Sequence, residues 1–527
     1  MSAFAPLFIG IPGHAKKLTP DIAGNKAAQL WRMSHLGLAV PPAFVLPTTL
    51  CAAVNTGEAE ALHALEHGLR KGIAALESVT GKGFGDARAP LLVSVRSGAA
   101  QSMPGMLETI LDVGLNAQTL RGLIQQTGNP RLAWDSYRRL LQMYAEVVLE
   151  VPPAGFEAAL TALLRQEEVA SEADLDSEAL ERLVQHFAAL APDVPDDPAE
   201  QLLRAARAVY RSWEGERARE YRRLNRLEGL SGTAVTVQLM VFGNAGRGSG
   251  AGVAFSRNPA SGAAEFYVDY LANAQGEDVV AGRRPTGGAG ALAASLPEVA
   301  RQLEQGARRL EADYRDVQDI EFTVEQGKLF FLQTRAAKRT PRAALRILVD
   351  FVAEGLLSPE EALQRADKID LDQASETRFA EPAATVAQAI QAAPGVACGR
   401  VAFTAETAKA LAAQGEPVIL VRHDTSTEDV AGFAVAAGIL TATGGRTAHA
   451  AVVARQMGRV CLVGCGALRF TQTGAELAGD KLTEGEFLCL DGETGEISRG
   501  RREIISCLPE AELAALAAWR ATATVPA

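Results

Sequence analysis

The chain has 527 residues, which is too long for one hydrophobic core and predicts two to four domains. Apolar residues make up 48% and charged residues 22%, as in globular proteins, and no apolar run reaches the roughly 20 residues of a membrane helix. The net charge of −11 argues against a basic surface for nucleic acid, so we expect neither nucleic acid nor a membrane as a partner.

The N-terminus and the cysteines indicate a cytoplasmic protein. The first residues carry no basic region followed by an apolar core, so we expect no secretion signal. The six cysteines have no spacing that suggests a disulfide framework, which fits a reducing compartment. Cys461 and Cys465 are four apart but lack a second ligand pair, which favours two buried thiols over a zinc site.

The first two thirds of the chain are predicted to change from mixed structure to helix and then to strand. Residues 20–115 mix helix and strand, with a short strand at 91–95, and residues 117–230 place apolar residues three and four apart, as helices do. Strands follow at 234–241, 252–255, 320–324 and 329–333. A glycine-dense loop at 243–250 separates the first two of these strands.

The last third is predicted to contain a connector and a compact α/β unit. Residues 336–395 hold one or two helices and end in an Ala-, Pro- and Gln-rich segment. Strands are then expected at 400–403, 417–421, 438–441, 460–463 and 487–490, with helices at 448–457 and 509–519. The fold class is therefore predicted to be mixed α/β and α+β, in several domains.

The first motif that carries chemistry is residues 444–455, with the sequence GGRTAHAAVVAR. A predicted strand ends before it, two glycines turn the chain and a helix begins, which puts His449 in the first helical turn. Free backbone N–H groups and the positive end of the helix dipole would stabilise a phosphate there. A histidine nitrogen is also a nucleophile toward phosphorus. The glycine turn and the helix start favour this interpretation over a core or capping histidine.

A second group of residues predicts a nucleotide site assembled from distant parts of the chain. Asp319 and Glu321 alternate on one predicted strand, and Gln333 and Arg335 alternate on the next, so each pair shares a face. Oxygen ligands suit Mg²⁺, and cationic side chains neutralise the phosphate oxygens of ATP. The other residues that we expect in the ATP site are Lys26, Arg96, Gln238 and Met240.

The glycine-dense loop is a further candidate for this site. Its Gly246, Gly248, Ser249 and Gly250 form a predicted phosphate loop whose backbone amides would close over the phosphates. The chain has neither a P-loop motif nor a dinucleotide-binding glycine turn followed by a suitable helix. The two commonest kinds of nucleotide site are therefore excluded.

Several long stretches resemble pyruvate phosphate dikinase and, more distantly, phosphoenolpyruvate synthase. The resemblance covers residues 20–500, and together with the His449 motif it rests on 91–99 (LLVSVRSGA), 102–106 (SMPGM), 135–139 (DSYRR), 252–259 (GVAFSRNP), 273–282 (NAQGEDVVAG), 319–323 (DIEFT) and 332–335 (LQTR). It implies an ATP-grasp-type nucleotide domain followed by a swivelling phosphohistidine domain. We place these at residues 1–335, with a helical subdomain at 117–230, and at 396–505. A helical linker (336–395) and a C-terminal helix and tail (506–527) complete the division.

The resemblance also implies roles for single residues. Arg96 and Arg335 would act with His449 in catalysis, while Glu321 and Gln333 would hold Mg²⁺. His449 would take a phosphoryl group from the β position of ATP, and inorganic phosphate or water would accept the γ group. Thr447 matches a threonine that is a regulatory phosphorylation site in some members, although a hydroxyl that only holds the turn is an equal alternative.

The chain departs from the family pattern in the acceptor domain and at single positions near the expected phosphates. The family has a C-terminal barrel that binds pyruvate or phosphoenolpyruvate, and residues 1–527 contain no counterpart. The usual Gly-Gly-Lys-Gly near the start is Gly-Asn-Lys-Ala at 24–27, Arg446 replaces a methionine, and Arg247 replaces a common acidic residue. Because of these changes, the sequence does not determine the geometry around the phosphates.

Four hypotheses follow for this chain. It is one subunit of a split phosphotransferase whose acceptor site lies on a partner protein, or it phosphorylates a small hydroxyl compound directly. Alternatively, it senses nucleotide without catalysis, or it is a fragment of a larger enzyme. The first is our prediction, and a homodimer is left open. Retention of His449 together with Lys26, Arg96, Glu321 and Arg335 argues against the sensor hypothesis.

Overall fold

The computed structural model describes residues 4–14, 16–101, 103, 108–280, 287–425, 429–445, 448–471 and 474–523. Within these ranges the side chains of residues 280, 372, 373, 376, 449, 456, 506, 507 and 523 are not described. The chain forms two compact units. The first comprises Met1–Arg247 with Phe330–Thr334, and the second comprises Gly248–Leu329 with Arg335–Ala527.

Helices account for much of both units. They are α1 (Pro20–His35), α2 (Leu50–Asn55), α3 (Ala59–Thr80), α4 (Ala117–Thr127), α5 (Pro130–Val147), α6 (Ala154–Gln166), α7 (Ser177–Leu190), α8 (Pro198–Ser212), α9 (Glu216–Leu224), α10 (Gly276–Val280), α11 (Ala289–Ser295), α12 (Pro297–Tyr314), α13 (Pro341–Ala353), α14 (Pro359–Ala366), α15 (Ala405–Ala413), α16 (Val430–Val435), α17 (His449–Gln456) and α18 (Glu510–Ala523).

The strands are mostly short. They are β1 (Leu7–Ile9), β2 (Ala43–Leu46), β3 (Val93–Ala99), β4 (Thr109–Val113), β5 (Thr233–Leu239), β6 (Gly250–Phe255), β7 (Tyr267–Ala272), β8 (Gln318–Glu325), β9 (Lys328–Ala336), β10 (Glu376–Phe379), β11 (Ala387–Gln388), β12 (Ile390–Ala393), β13 (Val396–Ala402), β14 (Val418–Arg422), β15 (Gly438–Thr441), β16 (Val460–Val463), β17 (Leu468–Thr471), β18 (Gly474–Leu477), β19 (Asp480–Leu482), β20 (Phe487–Asp491), β21 (Glu496–Arg499) and β22 (Ile504–Cys507).

The first unit is built on a five-stranded antiparallel sheet with the order β1-β2-β5-β3-β4. Helices α1, α3 and α8 pack against it, and its strands are rich in fully buried apolar residues. Helices α4 to α9 run from Ala117 to Leu224, where the sequence predicts a helical subdomain. Three of them, α5, α6 and α7, enclose a hydrophobic core of their own.

Two further sheets lie mainly in the second unit. A four-stranded sheet has the order β7-β6-β8-β9, in which β6 pairs antiparallel with β7 and β8. An eight-stranded sheet has the order β11-β21-β20-β13-β14-β15-β16-β12, with parallel pairing from β13 to β16. Along β14, Ile419 and Val421 join one core while Val418 and Leu420 join the other. The parallel strands are thus buried on both faces, as βαβ units require.

The segments on either side of the eight-stranded sheet pair with each other. Strand β10 precedes the sheet in the chain, and β22 follows it. The two form an antiparallel ribbon, in which Phe379 lies opposite Ile504. The chain therefore enters and leaves the eight-stranded sheet at one place.

The predicted mixed α/β fold is confirmed, and most strand and helix predictions differ from the structure only at their ends. Strands β15 and β16 have the predicted bounds, and α17 is one residue shorter at each end than predicted. The eight-stranded sheet also includes β11 and β12, which pair with β21 and β16 and lie in the segment predicted as a linker. Among the described residues, no helix is long and apolar enough to cross a membrane.

Candidate active site

His449 is the first residue of α17, so its predicted place in the first helical turn is confirmed. The preceding residue, Ala448, is extended (φ −58°, ψ 157°) and its N–H donates to the Gly445 carbonyl at 3.0 Å. Helix α17 packs on the sheet through buried alanines at 450, 451 and 454. The side chain of His449 and both Arg446 and Thr447 lie outside the described residues, so the proposed role of Thr447 stays a prediction.

The turn before His449 is fixed by close backbone contacts. Gly444 has φ +99°, which favours glycine, and a Cβ on Gly464 would lie only 2.8 Å from the Gly444 carbonyl oxygen. Thr443 donates both its N–H (3.0 Å) and its hydroxyl (2.9 Å) to the His423 carbonyl. The first N–H groups of a helix have no partner within it, so this fixed turn presents them next to His449.

The other end of α17 is anchored by Arg455. Its Nη1 donates to the Ala392 carbonyl in β12 at 2.8 Å, and the residue is 5% exposed. A cation in the last turn also complements the negative end of the helix dipole. Helix α17 is therefore held at both ends, which fixes the position of His449 relative to the eight-stranded sheet.

The second unit also contains a buried carboxylate paired with an arginine. Asp319 and Glu321 lie on β8, and Asp319 Oδ2 accepts a hydrogen bond from Arg335 Nε at 2.7 Å. The other oxygen, Oδ1, is buried and has no hydrogen-bond partner among the described residues. Burial raises the pKa of the Asp319 carboxyl, and the charge of Arg335 only partly offsets it. The arginine side chain stays half exposed, so Asp319 can orient it without occupying all its donors.

Residues 248–250, at the end of the glycine-dense loop, are in close contact with neighbouring strands and turns. Ser249 is buried, and its hydroxyl accepts the N–H of Gln326 at 2.9 Å. Gly250 is the first residue of β6, and a Cβ there would lie 2.3 Å from the Tyr270 hydroxyl. Gly248 has φ +80° beside the backbone of Gln326. Gly248 and Ser249 thus hold the loop against the β8–β9 turn, and Gly250 lies against Tyr270 of β7, a role that the glycine-rich pattern does not reveal.

In the first unit, a tight contact joins the elements that carry Lys26 and Arg96. Gly24 lies inside α1 with non-helical angles (φ +75°, ψ +157°), and a Cβ there would lie 2.0 Å from the Gly98 carbonyl oxygen in β3. Lys26 therefore follows a kink in α1. Arg96 lies on β3, and its buried Nε has no hydrogen-bond partner among the described residues. A buried cationic donor of this kind is suited to an anion.

The other residues that we expect in the ATP site occupy different environments. Gln238 is buried in β5, and its amide donates to the Pro41 carbonyl at 3.2 Å. Met240 is buried, and its N–H donates to the Leu92 carbonyl at 2.9 Å. Gln333 is half-buried on β9, and Gly246 has φ +91° in the first unit. Roles of these four residues in ATP binding remain predictions.

Comparison with known proteins identifies both parts of the chain. Residues 60–287 and 294–354 match the family described as "Pyruvate phosphate dikinase, AMP/ATP-binding domain". The chain belongs to the pyruvate phosphate dikinase family. Residues 414–495 match "PEP-utilising enzyme, mobile domain", and this range includes His449 and four strands of the eight-stranded sheet, β14, β15, β16 and β20. The expected ATP-grasp-type domain followed by a phosphohistidine domain is thereby confirmed.

Individual dikinases are similar over most of this chain. Pyruvate, phosphate dikinase of Clostridium symbiosum is 45% identical over 91% of the chain, and pyruvate, phosphate dikinase 2 of Zea mays is 43% identical over 95%. The chloroplastic dikinase 1 of Arabidopsis thaliana is 41% identical over 95%. The chain spans 56%, 58% and 53% of these relatives, so it corresponds to little more than half of a dikinase.

The residues of this dikinase relative fit a magnesium ion that is shared with a nucleotide. No group of three or more His, Cys, Asp and Glu side chains that could hold a metal ion occurs among the described residues. Mg²⁺ is commonly held by one or two side chains together with substrate phosphates rather than by a cage of protein ligands. The unsatisfied buried oxygen of Asp319 beside Glu321 on β8 provides the negative charge that such an ion requires.

One polar network near the glycine-dense loop was missed by the sequence-based site prediction. Asp135 of α5 is buried and accepts hydrogen bonds from Arg138 (2.8 Å), Arg139 (3.1 Å) and the amide of Asn244 (3.3 Å). Asn244 belongs to the glycine-dense loop, so Asp135 connects this loop to a helix. The i, i+3 and i+4 spacing of Asp135 with the two arginines is visible in the sequence, but the contact with Asn244 spans more than a hundred residues.

Proposed function

We propose that this protein transfers a phosphoryl group from ATP to its own His449, with inorganic phosphate as second substrate. The observation that carries the proposal is the position of His449 at the start of α17, behind a fixed glycine turn and within the matched mobile domain. The relatives are named pyruvate, phosphate dikinases, which supports phosphate rather than water as the acceptor of the γ group.

The ATP site in this proposal combines cationic residues from several elements. Lys26, Arg96 and Arg335 would neutralise the triphosphate and stabilise the charge of the transition state. Asp319 would orient Arg335 through their 2.7 Å ion pair. Glu321 and Gln333 would hold Mg²⁺ through their side-chain oxygens, and the ion, when bound, neutralises phosphate charge.

The reaction at His449 is a displacement at phosphorus. A ring nitrogen of His449 would form a P–N bond to the β-phosphorus, and the bond between this phosphorus and the AMP oxygen would break. The γ group would pass to inorganic phosphate and give pyrophosphate, so the balance is ATP, phosphate and histidine to AMP, pyrophosphate and phosphohistidine. The first N–H groups of α17 would stabilise the charge on the transferred group.

The phosphohistidine then requires an acceptor. The names of the relatives include pyruvate, but this chain spans little more than half of them. We propose that the acceptor is held by a separate domain or partner protein, to which the phosphohistidine domain moves. We also propose a cytoplasmic location, which fits the free thiols of the five described cysteines.

The proposal is tested with ATP labelled with ³²P in the β or the γ position, with Mg²⁺ and with or without phosphate. We expect acid-labile label on the protein from β-labelled ATP, dependent on phosphate and absent from His449→Ala. His186→Ala is the matched control, because His186 is an exposed histidine on α7. Normal ATP binding without label under any condition would overturn the proposal and favour a nucleotide sensor.

A further inference from the structure

Two cysteines lie directly opposite each other in the eight-stranded sheet. Cys398 on β13 pairs with Cys489 on the antiparallel neighbour β20. Val401 N–H donates to the Glu486 carbonyl, and Gly492 N–H donates to the Gly395 carbonyl, so Val401–Glu486 and Gly395–Gly492 are hydrogen-bonded pairs of this ladder. Hydrogen-bonded and non-hydrogen-bonded pairs alternate along antiparallel strands. Cys398 and Cys489 lie three positions from each of these two pairs and therefore form a non-hydrogen-bonded pair.

The position of this pair matches the geometry of a disulfide. Opposite residues at non-hydrogen-bonded positions have Cα atoms about 4.5 Å apart. Disulfides bridge Cα separations of about 4.4–6.8 Å. The two cysteines could therefore be joined with little movement of either strand.

The two sulfur atoms also share their surroundings. The sulfur of Cys489 lies 3.1 Å and that of Cys398 3.6 Å from the carbonyl oxygen of Gly500, and the N–H of Arg502 donates to Cys398 at 3.3 Å. Cys398 is 7% exposed and Cys489 is fully buried. A hydrogen bond from the Cys489 thiol, with the Arg502 N–H and the charges of Arg501 and Arg502, lowers the pKa of the Cys398 thiol. The same pairing raises the pKa of Cys489.

We propose that Cys398 and Cys489 form a modification site at which a peroxide produces a reversible cross-strand disulfide. The Cys398 thiolate attacks one peroxide oxygen, the O–O bond breaks, and a sulfenic acid and hydroxide form. The Cys489 sulfur then attacks the sulfenic sulfur, an S–S bond forms, and water leaves with the Cys489 proton. Two thiols are oxidised and one hydrogen peroxide is reduced to two waters. A small thiol reverses the reaction by exchange.

The other described cysteines lack this arrangement. Cys461 lies opposite Ala393 in β12 and beside Ile439 in β15, and burial raises the pKa of its thiol to about 12. Burial also raises the pKa of the Cys465 thiol, and that of Cys51 to about 11. A raised pKa leaves little thiolate at neutral pH, so these thiols should react slowly with peroxide.

Oxidation should loosen the segment that leads from the eight-stranded sheet to β22. In the reduced protein the thiols are partners of Gly500 and Arg502, and the guanidinium of Arg502 lies 3.7 Å from the ring of Phe379 in β10. A disulfide has no S–H to donate to the Gly500 carbonyl and no thiolate to accept from the Arg502 N–H. Backbone amides of 500–503 should then exchange faster with solvent.

The experiment treats the whole chain with hydrogen peroxide, alkylates the remaining thiols and maps peptides by mass. We expect one species that has lost two hydrogens, with the Cys398 and Cys489 peptides linked and released by dithiothreitol. Cys51→Ser should leave this link intact, while Cys398→Ser and Cys489→Ser should each abolish it. Hydrogen exchange of the peptide over 500–503 should rise in the oxidised protein and return after reduction.

Three results would overturn the proposal. They are oxidation of Cys398 to sulfinic acid without a link, a link from either cysteine to Cys507, and an unmodified pair under conditions that oxidise Cys461 or Cys465. The link is sought in the unmodified chain, so a serine variant that fails to fold does not affect these results. None of them depends on phosphotransfer, so this test is independent of the proposed activity.

Discussion

At the scale of single residues, two buried aspartates differ in what surrounds their charge. Burial raises the pKa of Asp319, and the single arginine that pairs with it does not overcome this effect. Burial acts on Asp135 too, but Arg139 and Arg138 outweigh it and lower the pKa of that carboxyl. The ionised form of Asp319 therefore costs folding free energy, whereas the ionised form of Asp135 contributes it.

These shifts predict opposite effects of replacing each aspartate by asparagine. The carboxyl of Asp319 contributes to folding stability only at acidic pH. This contribution is complete below the pKa that the carboxyl has in the unfolded chain, and it is lost as the pH rises through the raised pKa of the folded state. Asp319→Asn should therefore be at least as stable as the parent at pH 7 while losing phosphotransfer. Asp135→Asn should lose about 3–5 kcal/mol at pH 7, because it breaks a buried ion pair.

Thermal unfolding at pH 7 and pH 4 measures both variants against the parent. The deficit of Asp135→Asn should persist at pH 4, because the folded-state pKa of this carboxyl lies well below its ordinary value and its stabilisation is lost only at more acidic pH. Any advantage of Asp319→Asn should shrink at pH 4, because the raised pKa lets the carboxyl of the parent become protonated as the pH falls. A destabilised Asp319→Asn at pH 7 would contradict the interpretation that this carboxylate is retained for function rather than for stability.

At the scale of elements, the contact of α1 with β3 depends on one glycine. Gly24 combines φ +75° with ψ +157°, a conformation almost limited to glycine, and it lies against the Gly98 backbone. The family motif has changed around it to Asn25 and Ala27, yet the glycine at the contact is retained. The contact fixes the two elements on which Lys26 and Arg96 lie.

Gly24→Ala should therefore both destabilise the protein and weaken ATP binding. The added methyl group would overlap the Gly98 carbonyl and force α1 away from β3, at a cost of about 1–3 kcal/mol beyond the backbone strain. Gly37→Ala is the matched control, since Gly37 also has φ +75° but has no atom within 4 Å of an added Cβ. Thermal unfolding and titration calorimetry with ATP would measure the difference, and equal effects of the two variants would contradict this account.

At the scale of the whole molecule, the connections to the eight-stranded sheet limit how the phosphohistidine domain can move. Residues 381–385 are exposed and have no regular secondary structure. They follow β10, which pairs with β22 from the far end of the domain. Both connections therefore begin at one ribbon, which suits rotation about a single hinge.

A stiff insertion in this connection should separate ATP binding from phosphotransfer. A helical block of Glu-Ala-Ala-Ala-Lys repeats between Ala383 and Ala384 should abolish labelling of His449 and leave the affinity for ATP unchanged. A Gly-Ser insertion of equal length at the same position is the control and should keep the label. Equal labelling of both variants would show that movement through this connection is not required.

The sequence by itself determined the features that depend on neighbouring residues. The glycine turn and the helix start at His449 are local, as are the short apolar strands β15 and β16, because backbone geometry and burial at these places follow from a few adjacent residues. The alternation of Asp319 with Glu321 on one strand is likewise a property of the strand itself. Family resemblance added the order of the two domains.

Only the tertiary structure decided which distant residues meet. The pairing of β10 with β22, the bond between Asp135 and Asn244, and the alignment of Cys398 with Cys489 join residues about 90 or more positions apart. The buried and structural role of Ser249 was also hidden in a pattern that resembles a phosphate loop. Register and long-range contacts arise from the packing of whole elements, and a local sequence pattern does not carry that information.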